Sequence, residues 1–548
     1  MIDRREFLRE AAVGAAAFLA PSFSRARSVG KNDTLVFRPF LPSGAPDLDF
    51  VYLADGNVDP FTSSVAITRD GIVVPSEDLR EPFSINARWL VEGFGYLWLC
   101  ADNAGQLYQR ESVNSGSPLN LNLEFARSRV ARNADVRWRY EREGAVFSAE
   151  VRDLMGLSED LCREAQKSDS ADERAARKAD RSLRYALEAG EAIELEKAGA
   201  DIRRFSAPRN AFIGCETRQM VWVKSEEFTK RFVELFNFAT ITHYVWDSWY
   251  ELFEPREGVY NWGIKDDILR WLLENGITPE GRPLFWFHPS VTPDWLREKS
   301  FDALKSYVEK HTHDLLAHYG DRVLHWEVVN EYHDYANIFD HTPEQITEIV
   351  RLACDRTKSE NPKVVRILNN CAPWGEYVAR GTMARKRATR PLRTVRRYLS
   401  DLRDAGVQYD VLGIQIYFPQ RDLSDIARLL ERLRTFGKLL FITEIGASSD
   451  LRAPNPTGAI RAAADEPFAW HREWDEELQA DWLEQVYSIY YSRPYVSAFN
   501  WYDFSDFRPY IVNGGLVRED CTPKASFRRL GKLLETWRIT PPAMEKKQ

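Results

Sequence analysis

Cysteine is scarce and scattered in this chain. Cys100, Cys162, Cys215, Cys354, Cys371 and Cys521 are the six among 548 residues, and none stands in a Cys-x-x-Cys or a clustered His/Cys spacing. The common metal-binding and dithiol redox motifs are therefore missing, and nothing in the sequence demands a metal or organic cofactor. Long hydrophobic runs are missing too. A membrane helix needs about 20 apolar residues, and Ala11–Ala20, the nearest approach, falls short. Basic excess is also absent: the net charge is -8 with no long basic tract, which argues against nucleic acid as a partner. What remains, 44% apolar and 28% charged residues, is a globular composition. The length exceeds one ordinary domain.

The first segment reads as an address. Asp3-Arg4-Arg5-Glu6-Phe7-Leu8-Arg9 is a charged stretch, and the alanine-rich run behind it is a short apolar core. The paired arginines resemble the twin-arginine export signal of bacteria. Small residues at Ser24 and Ala26 place cleavage after Ala26, which makes residues 1–26 a signal peptide. The implied destination is periplasmic or extracellular, with no membrane insertion once the signal is removed. A chain that folds before such export does so in a reducing compartment, so its thiols are expected to be free.

Residues 33–145 read as a β-rich, sandwich-like domain. Short runs such as Thr34-Leu-Val-Phe37, Phe50-Val-Tyr-Leu53 and Tyr96-Leu-Trp-Leu99 alternate with turn signals at Pro42-Ser-Gly44, Asp55-Gly56 and Asp70-Gly71. Such a domain could bind carbohydrate, with Trp89, Trp98 or Tyr108 as stacking faces, or could serve as a packing platform. Residues 146–200 turn rich in Ala, Glu, Arg, Lys and Leu. Leu183, Leu187, Ile193, Leu195 and Ala198 recur at helical spacing, as in an amphipathic connector. A connector implies that the chain from about residue 200 onward folds alone.

From Asn210 short apolar runs alternate with amphipathic stretches. The runs are Ala211–Gly214, Phe238–Ile241, Pro283–Phe287, Val323–Val329, Val364–Leu368, Val411–Tyr417, Leu439–Thr443 and Ser497–Trp501. Eight β/α units suit a (β/α)8 TIM barrel, and the alternation alone also allows a doubly wound sheet. Two of these runs end on a carboxylate. Val323-Leu-His-Trp-Glu-Val-Val-Asn-Glu331 and Leu439-Leu-Phe-Ile-Thr-Glu444 each set a glutamate at a strand end, where barrel enzymes keep their chemistry. One such glutamate is easily a solvated or capping residue. Two, each closing an apolar strand, need hydrogen bonds or charge partners and are the minimum kit for glycosidic cleavage.

His325-Trp-Glu-Val-Val-Asn-Glu331 resembles the acid/base signature of glycoside hydrolase family 10, the retaining endo-β-1,4-xylanases, and Phe441-Ile-Thr-Glu444 resembles that family's nucleophile strand. The resemblance covers roughly residues 205–540 and, with the count of eight units, selects the barrel. It implies Glu331 as acid/base and Glu444 as nucleophile. Asn330 matches the family residue that bonds the sugar 2-hydroxyl. Gln415 matches the family's sixth-strand Gln, and Tyr417 stands where the family usually places a His. Trp501 resembles the eighth-strand Trp under the sugar. Trp286 and His288 resemble the family's Trp-His pair with one residue inserted, although His288 could equally cap the following loop. The second strand departs from the pattern: Thr242 and His243 replace a Glu-Asn pair, and Trp246 stands near the family's Lys. The implied function is endo-xylanase action on xylan-type polysaccharide or its oligosaccharides. The alternatives are a retaining β-glycosidase on another β-glycan or glycoside, and a non-catalytic carbohydrate-binding protein.

Overall fold

The computed structural model describes residues 34–79, 81–110, 117–168, 172–223, 225–246, 252–383, 386–417, 420–451 and 468–541. The signal peptide expected over residues 1–26 lies outside them. Seven strands lead: β1 (Leu35–Arg38), β2 (Val51–Ala54), β3 (Ala66–Thr68), β4 (Gly71–Val74), β5 (Ser84–Val91), β6 (Gly95–Ala101) and β7 (Leu119–Asn120). Three helices follow: α1 (Leu121–Arg142), α2 (Ala149–Gln166) and α3 (Glu173–Arg203). Asn120, Ser148 and Asp172 cap them, each side chain accepting a backbone N–H of the first turn.

Strand alternation in the remaining chain gives β8 (Phe212–Glu216), β9 (Phe238–Thr242), β10 (Thr278–Arg282), β11 (His325–Asn330), β12 (Val365–Asn370), the small hairpin β13 (Thr382–Met383) and β14 (Lys386–Arg387), β15 (Val411–Tyr417), β16 (Leu439–Gly446), β17 (Ala469–Trp470) and β18 (Val496–Trp501). Eight of these close a parallel barrel in the order β8-β9-β10-β11-β12-β15-β16-β18. Helices including Phe301–Tyr319, Pro343–Glu360 and Glu476–Ser492 surround it. Phe212, Phe238, His325 and Phe441 fill the lower interior with edge-on and stacked rings.

The leading strands form two four-stranded sheets, β3-β4-β1-β7 and β17-β6-β5-β2. Both share one apolar core with the helices: Phe37, Ile72, Leu53, Ile85 and Leu97 pack with Phe125, Leu183 and Leu187. Two expectations need correcting here. The stretch read as β-rich to residue 145 is helical from Leu121, because α1 turns Asn122, Glu124, Arg129 and Asn133 inward and so hides its apolar stripe. The proposed stacking faces Trp89, Trp98 and Tyr108 are all buried, at 1%, 5% and 1% exposure, and cannot meet a polysaccharide.

Nor does the leading module sit apart from the barrel. Strand β17, supplied by the loop beyond β16, pairs with β6, and a Cβ on Gly95 there would lie 2.2 Å from the Ala469 carbonyl. Arg129 forms a bidentate pair with Asp422, and Arg132 meets Asp425 at 2.7 Å. Arg493 donates to Glu194 at 2.8 Å, and Trp470 donates to Glu191 at 2.9 Å. All of these side chains are largely buried, so a fragment starting near residue 200 would take from Asp422 its bidentate partner and from Asp425 and Arg493 one partner each.

Candidate active site

The candidate site gathers at the C-terminal ends of the barrel strands and the first residues beyond them, and the backbone there is irregular. The β11–β12 register slips between Glu327 and Val329, and the β15–β16 register slips at Ile414/Gln415. Glu331 itself adopts φ +56°, a left-handed conformation rare for a residue with a side chain. Such irregularities re-aim side chains at functional sites.

The two strand-end glutamates sit in opposite surroundings. Glu331 is 6% exposed, and both its oxygens accept from neutral donors: Gln415 Nε2 at 2.8 Å and Trp286 Nε1 at 2.8 Å. Burial, and next the charge of Glu444, push its carboxyl up to about 7. Glu444 is held instead by a cation and polar donors. Its Oε1 accepts from the Arg282 guanidinium and from Asn369 Nδ2 at 3.1 Å, and its Oε2 accepts from the Tyr417 hydroxyl. Neutral donors and burial thus surround one carboxyl while a cation, an amide and a phenol hold the other, a contrast of environments that sets two neighbouring carboxyl groups apart.

Of the residues expected from sequence, Glu331, Glu444, Asn330, Gln415, Tyr417 and Trp286 come together. Gln415 bridges Asn330, at 3.3 Å, and Glu331. His288 stands on the adjoining loop, its Nδ1 hydrogen-bonded to Ser290 Oγ at 2.7 Å and its ring stacked on Trp286 at 4.9 Å. It braces the tryptophan and caps the loop.

Trp501 does not join the site. Alternation along β18 turns Asn500 inward, against Gly214, while Phe499 and Trp501 face the helical layer. Trp501 is fully buried, 6.2 Å from Trp482, and donates to the Gly514 carbonyl at 2.8 Å. The next residue, Tyr502, takes the inward position among Tyr417, Tyr510 and the guanidiniums of Arg218 and Arg282.

Arg282, Asn369, Tyr502 and Tyr244 were not foreseen. The third barrel strand is Thr278–Arg282, not the apolar Pro283–Phe287 that follows it and bridges only at Phe285–Val329. A strand spelled Thr-Pro-Glu-Gly-Arg carries no apolar signal, because its inward face is built of charge. Glu280 is fully buried with no hydrogen-bond partner, and burial pushes it up to about 8. At the end of β9, His243 points outward to the Tyr319 hydroxyl at 2.8 Å. Tyr244 lies against Trp286, with ring centroids 5.0 Å apart.

Among the described residues no group of three or more His, Cys, Asp or Glu side chains could hold a metal ion, and no helix is long and apolar enough to cross a membrane. All six cysteines are free.

Known proteins show partial similarity to this chain. The chain is 26% identical over 265 residues to an endo-1,4-beta-xylanase/feruloyl esterase of Xylanibacter ruminicola, a match covering 43% of this chain and 33% of that protein. It is 22% identical over 268 residues to endo-1,4-beta-xylanase B of Thermotoga neapolitana, covering 48% of this chain and 67% of that one. Xylanase 10B of Thermotoga petrophila RKU-1, solved with xylobiose, aligns at a TM-score of 0.46 and 20% identity over 62% of this chain and 97% of that one. The sequence profile of Glycosyl hydrolase family 10 matches residues 208–529, well over half of the chain. On that match, the chain belongs to glycosyl hydrolase family 10.

Proposed function

We propose that this protein hydrolyses β-1,4-xylosidic linkages of xylan-type polysaccharide with retention of configuration, after export by the twin-arginine route. The observation that carries the reading is the contrast between Glu331, held by neutral donors and pushed up to about 7, and Glu444, held by Arg282, Asn369 and Tyr417. Glu331 protonates the departing glycosidic oxygen. Glu444 attacks the anomeric carbon and forms a glycosyl-enzyme ester. Glu331, now ionised, takes the proton of the water that releases the sugar. Asn330, steadied by Gln415, is placed to bond the sugar 2-hydroxyl. Arg282 holds Glu444 Oε1 before attack and faces the charge returned to that carboxylate when the ester breaks. The names of the curated relatives, xylanases from Xylanibacter and Thermotoga, support the substrate class.

A second reading rests on the end of β9: Thr242 and the outward-turned His243 stand where the family pattern has a Glu-Asn pair, and Tyr244, the next residue, lies against Trp286 in the site. That surface favours a β-glycan or glycoside other than plain xylan. A reducing-sugar assay over a panel of β-glycans, with the anomer followed by NMR, separates the readings. Release of β-product from xylan is expected. An α-product would overturn the double displacement, and binding without any release would leave a carbohydrate-binding protein.

A further inference from the structure

Glu327 lies on β11 four residues before Glu331, wholly buried inside the barrel. Its Oε2 accepts from Asn369 Nδ2 at 3.0 Å and lies 3.3 Å from Arg282 Nε. These same two groups hold Oε1 of Glu444: Arg282 through its terminal Nη2, and Asn369 through the same amide at 3.1 Å. Asn369 therefore donates to both carboxylates, while Arg282 donates to Glu444 and stands against Glu327 as an ion pair, its Nε making no hydrogen bond. Asn369 is further oriented from its oxygen end. The Thr443 hydroxyl donates to Oδ1 at 2.6 Å and the Asn370 N–H at 2.9 Å, which turns the amide nitrogen toward both glutamates. The other charged groups around Glu327 are Glu280 on β10, Glu331 at the end of β11 and, against Arg282 at 3.6 Å, Glu216 on β8.

We propose that Glu327 is a positioning residue for the nucleophile, acting through the Asn369 amide by a hydrogen bond and through the Arg282 guanidinium by an ion pair, the two groups that also hold Glu444. The inference rests on the reading of Glu444 as nucleophile. An acceptor at residue 327 fixes both donors where they meet Oε1 of Glu444, so that Oε2 is the free edge offered to the anomeric carbon once Tyr417 yields. Without that acceptor, Arg282 and the Asn369 amide can turn wholly onto Glu444 and drag its carboxylate out of line. Small misplacements of a reacting group are expensive: about 1 Å can cost on the order of 100-fold in rate.

The test is a single-turnover measurement on the full chain with an aryl β-xyloside that has an activated leaving group, so that protonation by Glu331 is not limiting. Glu327→Met keeps the length and removes the acceptor. It should slow glycosyl-enzyme formation by about 100-fold while the substrate Kd stays nearly unchanged. Glu327→Gln retains an oxygen facing both donors and should restore most of the rate. Loss in the Gln variant as deep as in the Met variant, or no loss in either, would overturn the proposal. A fall in Kd-level binding without a fall in the chemical step would do the same. Should Glu327→Met fail to fold, Thr443→Val reads the relay from its other end, through the orientation of Asn369. Several-fold slower glycosylation with unchanged Kd is expected there, and a wild-type rate overturns the proposal. Glu444→Ala is run alongside. Activity surviving in it removes the nucleophile reading itself, an outcome distinct from a failure of the Glu327 arm alone.

Discussion

Trp286→Phe is the sharpest perturbation of the proposed acid/base. The substitution keeps an aromatic ring for Tyr244 and His288 to pack on but deletes the N–H that donates to Glu331 Oε2 at 2.8 Å. A hydrogen bond to an ionised carboxylate contributes about 1.5–3 kcal/mol, and one between neutral groups about 0.5–1.5 kcal/mol. The indole therefore favours the charged form of Glu331 by roughly 1–1.5 kcal/mol, which at about 1.36 kcal/mol per pKa unit corresponds to about one unit. The sign follows directly. Removing a donor that lowers the pKa raises it, from about 7 in the wild type to roughly 8. Glu331 must enter the first step protonated, so the alkaline limb of kcat/KM should move up by about one pH unit. The assay is kcat/KM against pH on a xylo-oligosaccharide, whose poor leaving group makes the proton transfer count, and kcat/KM reports the free enzyme. An alkaline limb that stays in place, or moves down, would refute the assignment of Glu331 as the titrating acid or of Trp286 as its partner.

Glu331→Ala should lose polysaccharide cleavage by about 10² to 10⁴-fold yet still form a glycosyl-enzyme from an activated aryl glycoside. Azide should then release the β-configured azide from that intermediate, whereas Glu444→Ala should show no such rescue; equal loss on all substrates for both variants would sink the two-role reading. Arg129→Ala leaves the buried Asp422 without its bidentate partner and should cost about 3–5 kcal/mol in denaturant unfolding; a cost near that of an exposed ion pair would show that the module is loosely docked. Replacing both Arg4 and Arg5 with Lys should strand the protein in the cytoplasm, and unchanged export in a fractionation assay would remove the twin-arginine proposal.

The sequence by itself determined the eight-unit alternation, the two strand-end glutamates and the neighbours Asn330, Gln415 and Trp286. The glutamates, Asn330 and Gln415 sit on or beside runs whose apolar, β-branched residues announce a strand, and a polar residue within or closing such a run stands out against it; Trp286 lies in a purely aromatic and leucine run that follows its strand. Tertiary structure decided the rest. The third strand was displaced by a few residues because its inward face is Thr278, Glu280 and Arg282, and charge that is buried only by closure of the barrel carries no hydrophobic period. Trp501 was placed in the site by analogy, but its side of the strand depends on inward–outward parity, which sends Tyr502 inward instead. Helix α1 shows no helical signature in its sequence because Arg129 and Asn133 fall on its buried face, where they answer Asp422 and the Ala186 carbonyl, partners far away in sequence. Local pattern reports which residues avoid water. Which charged residues may join them is settled only when distant strands and helices bring a compensating partner within hydrogen-bond reach.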